Sequence, residues 1–304
     1  MHLGPSEFVR NQEAMSRVWT HSESEAYTKR VATGHYENFH VVSFLLPKHL
    51  HQDFYNVYAY CRWADDLGDE IGDPAESLRL LQWWSGELDR MYAGEAAHPV
   101  FVALRGTVAK YGIPKQPFAD LVSAFVQDQT VTRYQDWDGV LDYCVRSANP
   151  VGRLVLYLCG YSDPERQRLS DATCTGLQLA NFWQDVTVDQ CKDRVYLPLD
   201  LLARHNYTVE DLFARRFDDR FRAVMKEAVE KARGFFRTGL ALPGMVDRRL
   251  AVDLDLFSRG GMKVLEKIEG QDYDVLSRRP KISKTERVTL LVSTLLRVGL
   301  RLAA

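Results

Sequence analysis

Along most of this chain the apolar residues recur at intervals of three and four. Phe54, Val57, Tyr58, Cys61 and Ala64 keep that spacing, and so do Ala172, Gly176, Leu179, Phe182, Trp183 and Val186. A period of 3.6 residues places each set on one face of an α-helix, whereas a half-buried strand needs strict alternation. Alternating β-branched runs closed by Asn-Gly or Asp-Gly turns are absent. "SLRLLQWWSGELDRMYAG" reads as a further amphipathic helix with Gly94 as its C-cap, and "FRAVMKEAVEKARGFFRTGLALP" as a long helix stopping near Pro243. Breaks fall at Pro47, 71–74, Pro99, 111–117, 160–164 and 196–200, and none has the length of an interdomain linker. Gly260-Gly261 reads as a helix boundary. The expectation is an all-α chain, one domain over residues 1–304, built as a helical bundle. Its first roughly 25 residues are expected to be flexible, as chain ends often are.

Composition narrows the function. With 304 residues, 46% of them apolar, and a formal net charge of −2, a sizeable core is available and disorder is excluded. The balance lacks the basic excess of nucleic-acid binders, so no nucleic-acid partner is expected. Cys61, Cys144, Cys159, Cys174 and Cys191 are odd in number and without CxxC spacing, which fits reduced thiols in the cytoplasm better than disulfides or zinc. The N-terminus has no signal-peptide core, and no apolar run reaches the roughly 18 residues of a membrane span. The C-terminal "VTLLVSTLLRVGLRLAA" is interrupted by Arg297 and Arg301, so residues 283–304 read as an amphipathic helix. It is either a last core helix or a transient contact with the inner face of the membrane, its apolar side flanked by cations.

Two stretches carry the chemistry. In "YCRWADDLGDE" (60–70), Asp65 and Asp69 stand one helical turn apart on one face, with Arg62 three residues before Asp65. Asp66 and Glu70 form a neighbouring stripe, expected to support the first pair or to face solvent. Like charges at this spacing are mildly unfavourable, so such a helix either exposes or neutralises them. In "QLANFWQDVTVDQCKDRVYLP" (178–198), Asn181, Asp185 and Asp189 fall at i, i+4 and i+8, each step turning the helix by about 40°. Gln178 lies one turn earlier, and Phe182, Trp183 and Val186 occupy the other side. Carboxylate and amide oxygens without imidazole or thiolate suit Mg²⁺, which takes one or two protein carboxylates and completes its shell from water and phosphate. Arg62 and Arg194 flank the stripes as phosphate-binding guanidinium groups, and Tyr196 adds a phenolic donor. On the residues alone, a solvated acidic face, an intrahelical Arg–Asp pair and a core tyrosine remain open alternatives.

Taken together, "RWADDLGD", "NFWQDVTVD" followed by "DRVYLP", and "DYCVRSANPVG" (142–152) resemble the head-to-head trans-isoprenyl diphosphate synthases: squalene, phytoene and dehydrosqualene synthases. The resemblance runs from about Tyr36 to Leu202; beyond it the chain matches only as helices of suitable length. It implies an isoprenoid synthase bundle with a central active-site cavity. It implies Mg²⁺, several ions bridging the diphosphate, held by Asp65, Asp69, Asn181, Asp185 and Asp189. Arg62, Arg194, Gln178 and Tyr196 would hold the diphosphate of a prenyl substrate, and Tyr143 would assist proton transfer or steer the departing diphosphate.

There are two departures from many relatives. "SANPVG" puts Asn149 where others keep glycine, followed by the helix-breaking Pro150, and Asn38-Phe39 replaces Ser-Phe. Both resemble the bacterial hopanoid branch, the hydroxysqualene synthases, which convert presqualene diphosphate to hydroxysqualene without NADPH. There Asn149 would position the capturing water, and neighbouring hopanoid-pathway enzymes would be partners. The alternatives are condensation of two prenyl diphosphates to presqualene diphosphate, squalene, dehydrosqualene or phytoene, and a non-catalytic helical scaffold.

Overall fold

A computed structural model describes residues 4–34 and 46–301, with side chains to residue 298; Asn38-Phe39 lies outside the described residues. The described chain runs through α1 (Pro5–Arg10), α2 (Gln12–Ser16), α3 (His21–Gly34), α4 (His51–Asp69), α5 (Pro74–Tyr92), α6 (Pro99–Tyr111) and α7 (Gln116–Gln127). It continues through α8 (Trp137–Ser147), α9 (Asn149–Leu158), α10 (Pro164–Gln184), α11 (Val186–Gln190), α12 (Leu199–Arg204) and α13 (Val209–Phe213). The last three helices are α14 (Asp219–Gly239), α15 (Arg248–Gly270) and α16 (Lys284–Arg301). Among the described residues the one β-type pairing is an isolated bridge between Arg133 and Val195, so the chain is all-α as its periodicity requires. Two compact units emerge: Met1–Thr130 with Pro150–Asp163, and Val131–Asn149 with Pro164–Ala304.

The helices begin and end where the caps stand. Asp73 accepts the Ala75 N–H with Pro74 in the first turn, and Gly94, just past the end of α5, takes φ +98°. Gly112 closes α6 in the left-handed region at φ +61°, a conformation costly for residues with a Cβ. Asp218 and Asp247 cap α14 and α15 by accepting two backbone N–H groups each.

In the first unit α4 is the hub, packed against α1, α3, α5, α6 and α7. Its Trp63 stacks on Trp84 of α5 with ring centroids 5.1 Å apart, and Tyr60 donates to the Phe118 carbonyl at 3.0 Å. Near the N-terminus α1 and α2 are short helices. Phe8 buries its ring edge-on against Trp63 at 5.3 Å. His98 sits in the same aromatic cluster, 4.4 Å from Trp63, and accepts the Val100 N–H. Burial pushes its imidazole down to about 3, so it stays neutral. Near the C-terminal end of α4, a Cβ on Gly68 would lie 3.3 Å from Phe125 of α7, so that glycine permits the close approach of the two helices.

In the second unit the core is α10 against α14 and α15. Phe236 of α14 fills the space that Gly176 and Gly261 leave: a Cβ on Gly176 would stand 3.2 Å from the ring, and one on Gly261 would collide with it and lie 3.0 Å from Leu177. Gly260-Gly261 is therefore not a helix boundary. It lies inside α15, where glycine serves close helix–helix approach.

Candidate active site

The first acidic stretch occupies the last turns of α4. Arg62, with its side chain 25% exposed, reaches three carboxylates: Asp65 at 3.2 Å, Asp66 at 2.5 Å and Glu70 at 3.2 Å. It is thus not confined to the face of Asp65 and Asp69; its shortest contact is to the neighbouring stripe. Asp66 is buried and Glu70 is exposed. Burial pushes the Asp66 carboxyl up to about 6, with Glu70 and Asp65 adding to the rise and Arg62 opposing it. Asp69 is exposed and the Asp65 side chain is 43% exposed, so both carboxylates are accessible to a ligand.

The second stretch is bent where one straight stripe was expected. α10 ends at Gln184, Asp185 leaves the helical region at φ −107° and ψ 16°, and α11 resumes at Val186. The hydrogen-bond ladder nevertheless runs on, with the Asp185 N–H on the Asn181 carbonyl and the Asp189 N–H on the Asp185 carbonyl, both at 2.9 Å. Asn181 is exposed on α10, Asp185 sits at the junction and Asp189 is half-buried on α11. Gln178 is half-buried one turn before Asn181.

Two arginines that sequence reasoning missed organise this segment. Arg279 grips Asp185, Nε on Oδ1 and Nη2 on Oδ2 at 3.1 Å, and the neighbouring Pro280 carbonyl accepts the Gln184 amide at 2.6 Å. The hydrogen bond to Asp185 raises the Arg279 pKa. Arg133 holds the next turn, donating to the Asp193 backbone oxygen and, at 2.6 Å, to its carboxylate. Asp193 has φ +53°, a left-handed conformation that aspartate tolerates better than most residues. That turn is closed by Arg194 N–H to Asp189 O and Val195 N–H to Thr132 O, both at 2.9 Å. The result is a small cleft lined by Asp189, Arg194, Tyr196, Phe182 and Trp183.

Tyr143 and Tyr196, nominated separately from the sequence, meet in one buried aromatic cluster. Phe182 lies flat on Tyr196 at 3.7 Å, with Tyr134 and Tyr143 each 5.8 Å from the same ring. Tyr134 was not foreseen, because an isolated loop tyrosine carries no periodic signal. Asn149 is placed differently. α8 and α9 meet at Ala148, Asn149 and Pro150 open α9, and the Asn149 Oδ1 accepts the Thr175 hydroxyl of α10 at 2.9 Å. What Asn149 retains for a ligand is the N–H side of its amide.

The donor sets are all oxygen. Among the described residues no three His, Cys, Asp or Glu side chains converge as a ready-made metal centre. Oxygen donors of this kind are those that Mg²⁺ takes. None of the five cysteines is joined in a disulfide. Among the described residues no helix is long and apolar enough to cross a membrane.

Residues 32–286 match the family model for squalene/phytoene synthase. The match extends well past Leu202 and takes in the segment that carries Arg279. A phytoene synthase of Thermus thermophilus is 34% identical over 263 residues, covering 86% of this chain and 89% of the relative. A phytoene synthase of Arthrospira platensis is 28% identical over 287 residues, 90% of this chain and 92% of the relative. Among solved structures, squalene synthase HpnC from Alicyclobacillus acidocaldarius is 43% identical with a TM-score of 0.80, over 83% of this chain and 95% of that one. A dehydrosqualene synthase in complex with a ligand is similar in fold, with a TM-score of 0.81 at 21% identity.

Proposed function

This chain belongs to the squalene/phytoene synthase family, enzymes of head-to-head prenyl diphosphate chemistry, and on that premise we propose that it converts presqualene diphosphate to hydroxysqualene. The observation that carries the reading is the 43% identity to squalene synthase HpnC over 95% of that chain. The Asn149-Pro150 opening of α9, a departure from many relatives, supports it.

Asp65 and Asp69 on α4, and Asn181, Asp185 and Asp189 on α10 and α11, are the proposed Mg²⁺ ligands. When bound, the metal neutralises the diphosphate and makes it a better leaving group. Arg62 and Arg194 hold the departing diphosphate as fixed cations, and Gln178 and the Tyr196 hydroxyl add donors. Tyr143, beside Tyr196, steers that group away from the carbocation it leaves behind. The stacking of Tyr196 between Phe182 and Tyr134 holds its ring in place. Water adds to the rearranged cation, the alcohol forms, and the released proton passes to the diphosphate. Asn149, its oxygen already taken by Thr175, orients that water through its N–H groups. No NADPH is consumed, because capture by water replaces hydride transfer.

Incubation of the purified protein with presqualene diphosphate and Mg²⁺, without NADPH, should give hydroxysqualene. An Asn149→Gly variant that still makes only hydroxysqualene would remove Asn149 from the water-positioning role. A second reading, condensation of two prenyl diphosphates, is favoured by the 34% identity to the Thermus phytoene synthase. Turnover of farnesyl or geranylgeranyl diphosphate alone, with presqualene diphosphate inert, would establish that reading instead. In either case, the long prenyl chains of substrate and product call for transient contact with a membrane surface and for delivery between neighbouring pathway enzymes.

A further inference from the structure

α16 is held to α15 by one side only. Thr294 and Val298 are buried, Arg259 donates to the Thr294 hydroxyl at 2.8 Å, and Lys267 pairs with Glu286 at 2.7 Å. These contacts fix the rotation of the helix about its axis. The other side carries Val288, Leu291, Val292, Leu295 and Leu296 at i, i+3, i+4, i+7 and i+8, a continuous aliphatic stripe. All five are exposed, from 38% at Leu291 to 63% at Leu296. Single exposed aliphatic residues are ordinary, but five in register on one helix face are an interaction surface.

The charge around the stripe selects its occupant. Residues 281–298 hold four cations, Lys281, Lys284, Arg287 and Arg297, against the one acid Glu286, a net +3 within a chain whose total is −2. Lys281, Lys284, Arg287 and Arg297 are exposed, Lys284 and Arg287 nearest the stripe and Arg297 on the far side of the helix, whereas Glu286 is turned inward onto Lys267. A second copy of the chain would present the same surface, and symmetric pairing would bring these cations against their own kind with no acid to answer them. An anionic bilayer answers both features at once: acyl chains for the stripe and phosphate groups for the cations.

We infer that α16 is an interfacial docking helix, lying in the plane of an anionic phospholipid surface with Val288, Leu291, Val292, Leu295 and Leu296 inserted. Aliphatic side chains without tryptophan or tyrosine give a reversible attachment, and the helix is not a span. The inference deepens the membrane contact proposed above by naming the surface and the lipid charge. Its test contains no substrate, so its failure leaves the catalytic reading untouched, and failure of the catalytic reading leaves it standing.

The test is co-sedimentation of the full chain with vesicles of phosphatidylcholine alone and of phosphatidylcholine containing about one-third phosphatidylglycerol. Binding should require the anionic lipid and fall as salt is raised. Leu291→Ser with Leu295→Ser should weaken it roughly tenfold or more, as should Lys284→Glu with Arg287→Glu, with the circular dichroism and melting of both variants unchanged. Equal binding by the wild type and both variants, or no binding to either vesicle, overturns the inference. So does light scattering that shows a lipid-free dimer dissociated by the leucine substitutions, because the stripe would then be covered by a second copy.

Discussion

The two acidic segments meet the same electrostatic problem with different partners. On α4 the neutralising cation is local: Arg62 lies within eight residues of all three acids it contacts. At the junction of α10 and α11 the cations arrive from far along the chain, Arg279 from 94 residues beyond Asp185 and Arg133 from 60 residues before Asp193. The first segment can therefore settle its charge as its own helix forms. The second is settled only when the second unit has folded around it. Its bend at Asp185 belongs with that arrangement, since it sits where the 279–280 strap attaches.

The largest effect expected is on turnover. If both segments hold Mg²⁺ for the same diphosphate, Asp65→Ala and Asp185→Ala should each lower kcat on the order of 10²–10³-fold, the scale of removing one preorganised electrostatic contact. Circular dichroism should show the helices intact in both. Near-normal turnover in one variant with loss in the other would break the symmetry between the segments and leave a single metal-binding helix.

Next in size, the two units should respond to pH with opposite signs. His98 in the first unit is held near 3 against an ordinary 6.5, so the unfolded chain binds the proton that the folded chain refuses. Stability should fall as pH drops below 6.5, by about 2 kcal/mol between pH 6.5 and 5. Asp253 in the second unit is 2% exposed, and neither carboxylate oxygen has a hydrogen-bond partner. Burial, with Asp247 adding to it, pushes its carboxyl from 3.8 up to about 7. The folded chain then holds a proton that the unfolded chain releases, so stability declines as pH rises from about 4 to 7, in total by about 4 kcal/mol. Between pH 5 and 6.5 the two contributions nearly cancel in the wild type, so urea titrations there should show stability falling with rising pH in His98→Gln and rising with pH in Asp253→Asn. A slope unchanged by either substitution would mean that the group titrates as it does in the unfolded chain.

How much of this was legible in the sequence follows the same division between near and far. Helical periodicity announced α4, α5, α10 and α14, and the Asp65/Asp69 pair with Arg62 was readable because every partner lies on one helix. Arg279 was not readable, because its meaning depends on a contact 94 residues away and its own neighbourhood, "SRRPKIS", looks like an ordinary basic loop. The bend at Asp185 was hidden because the i, i+4 ladder continues through it. Gly261 was misread because glycine signals both helix ends and close helix contacts, and only the ring of Phe236 decides between them. Gly261→Ala should therefore overpack the second unit and lower stability by about 1–3 kcal/mol. Phe236→Leu in the same chain should recover part of the loss; an additive double variant would separate the two sites.

The smallest effect tests the opening contrast most directly. Arg279 pairs with Asp185 through a side chain 39% exposed, in water, where such a pair contributes about 0–1 kcal/mol. Arg62 is less exposed at 25%, and its strongest partner, Asp66, is buried at 7%. Arg279→Gln should therefore change the melting midpoint barely at all, whereas Arg62→Gln strands Asp66 and should cost more, on the order of 1–3 kcal/mol. The ranking should reverse for the local structure of the second segment. Losing Arg279 releases the strap at Pro280 from its neighbour, so amide exchange should quicken around 184–190 in Arg279→Gln. The end of α4 should remain as protected as in the wild type. Equal stability losses in the two variants, without that local change in exchange, would mean that the distant arginine is as integral to its unit as the local one is to α4.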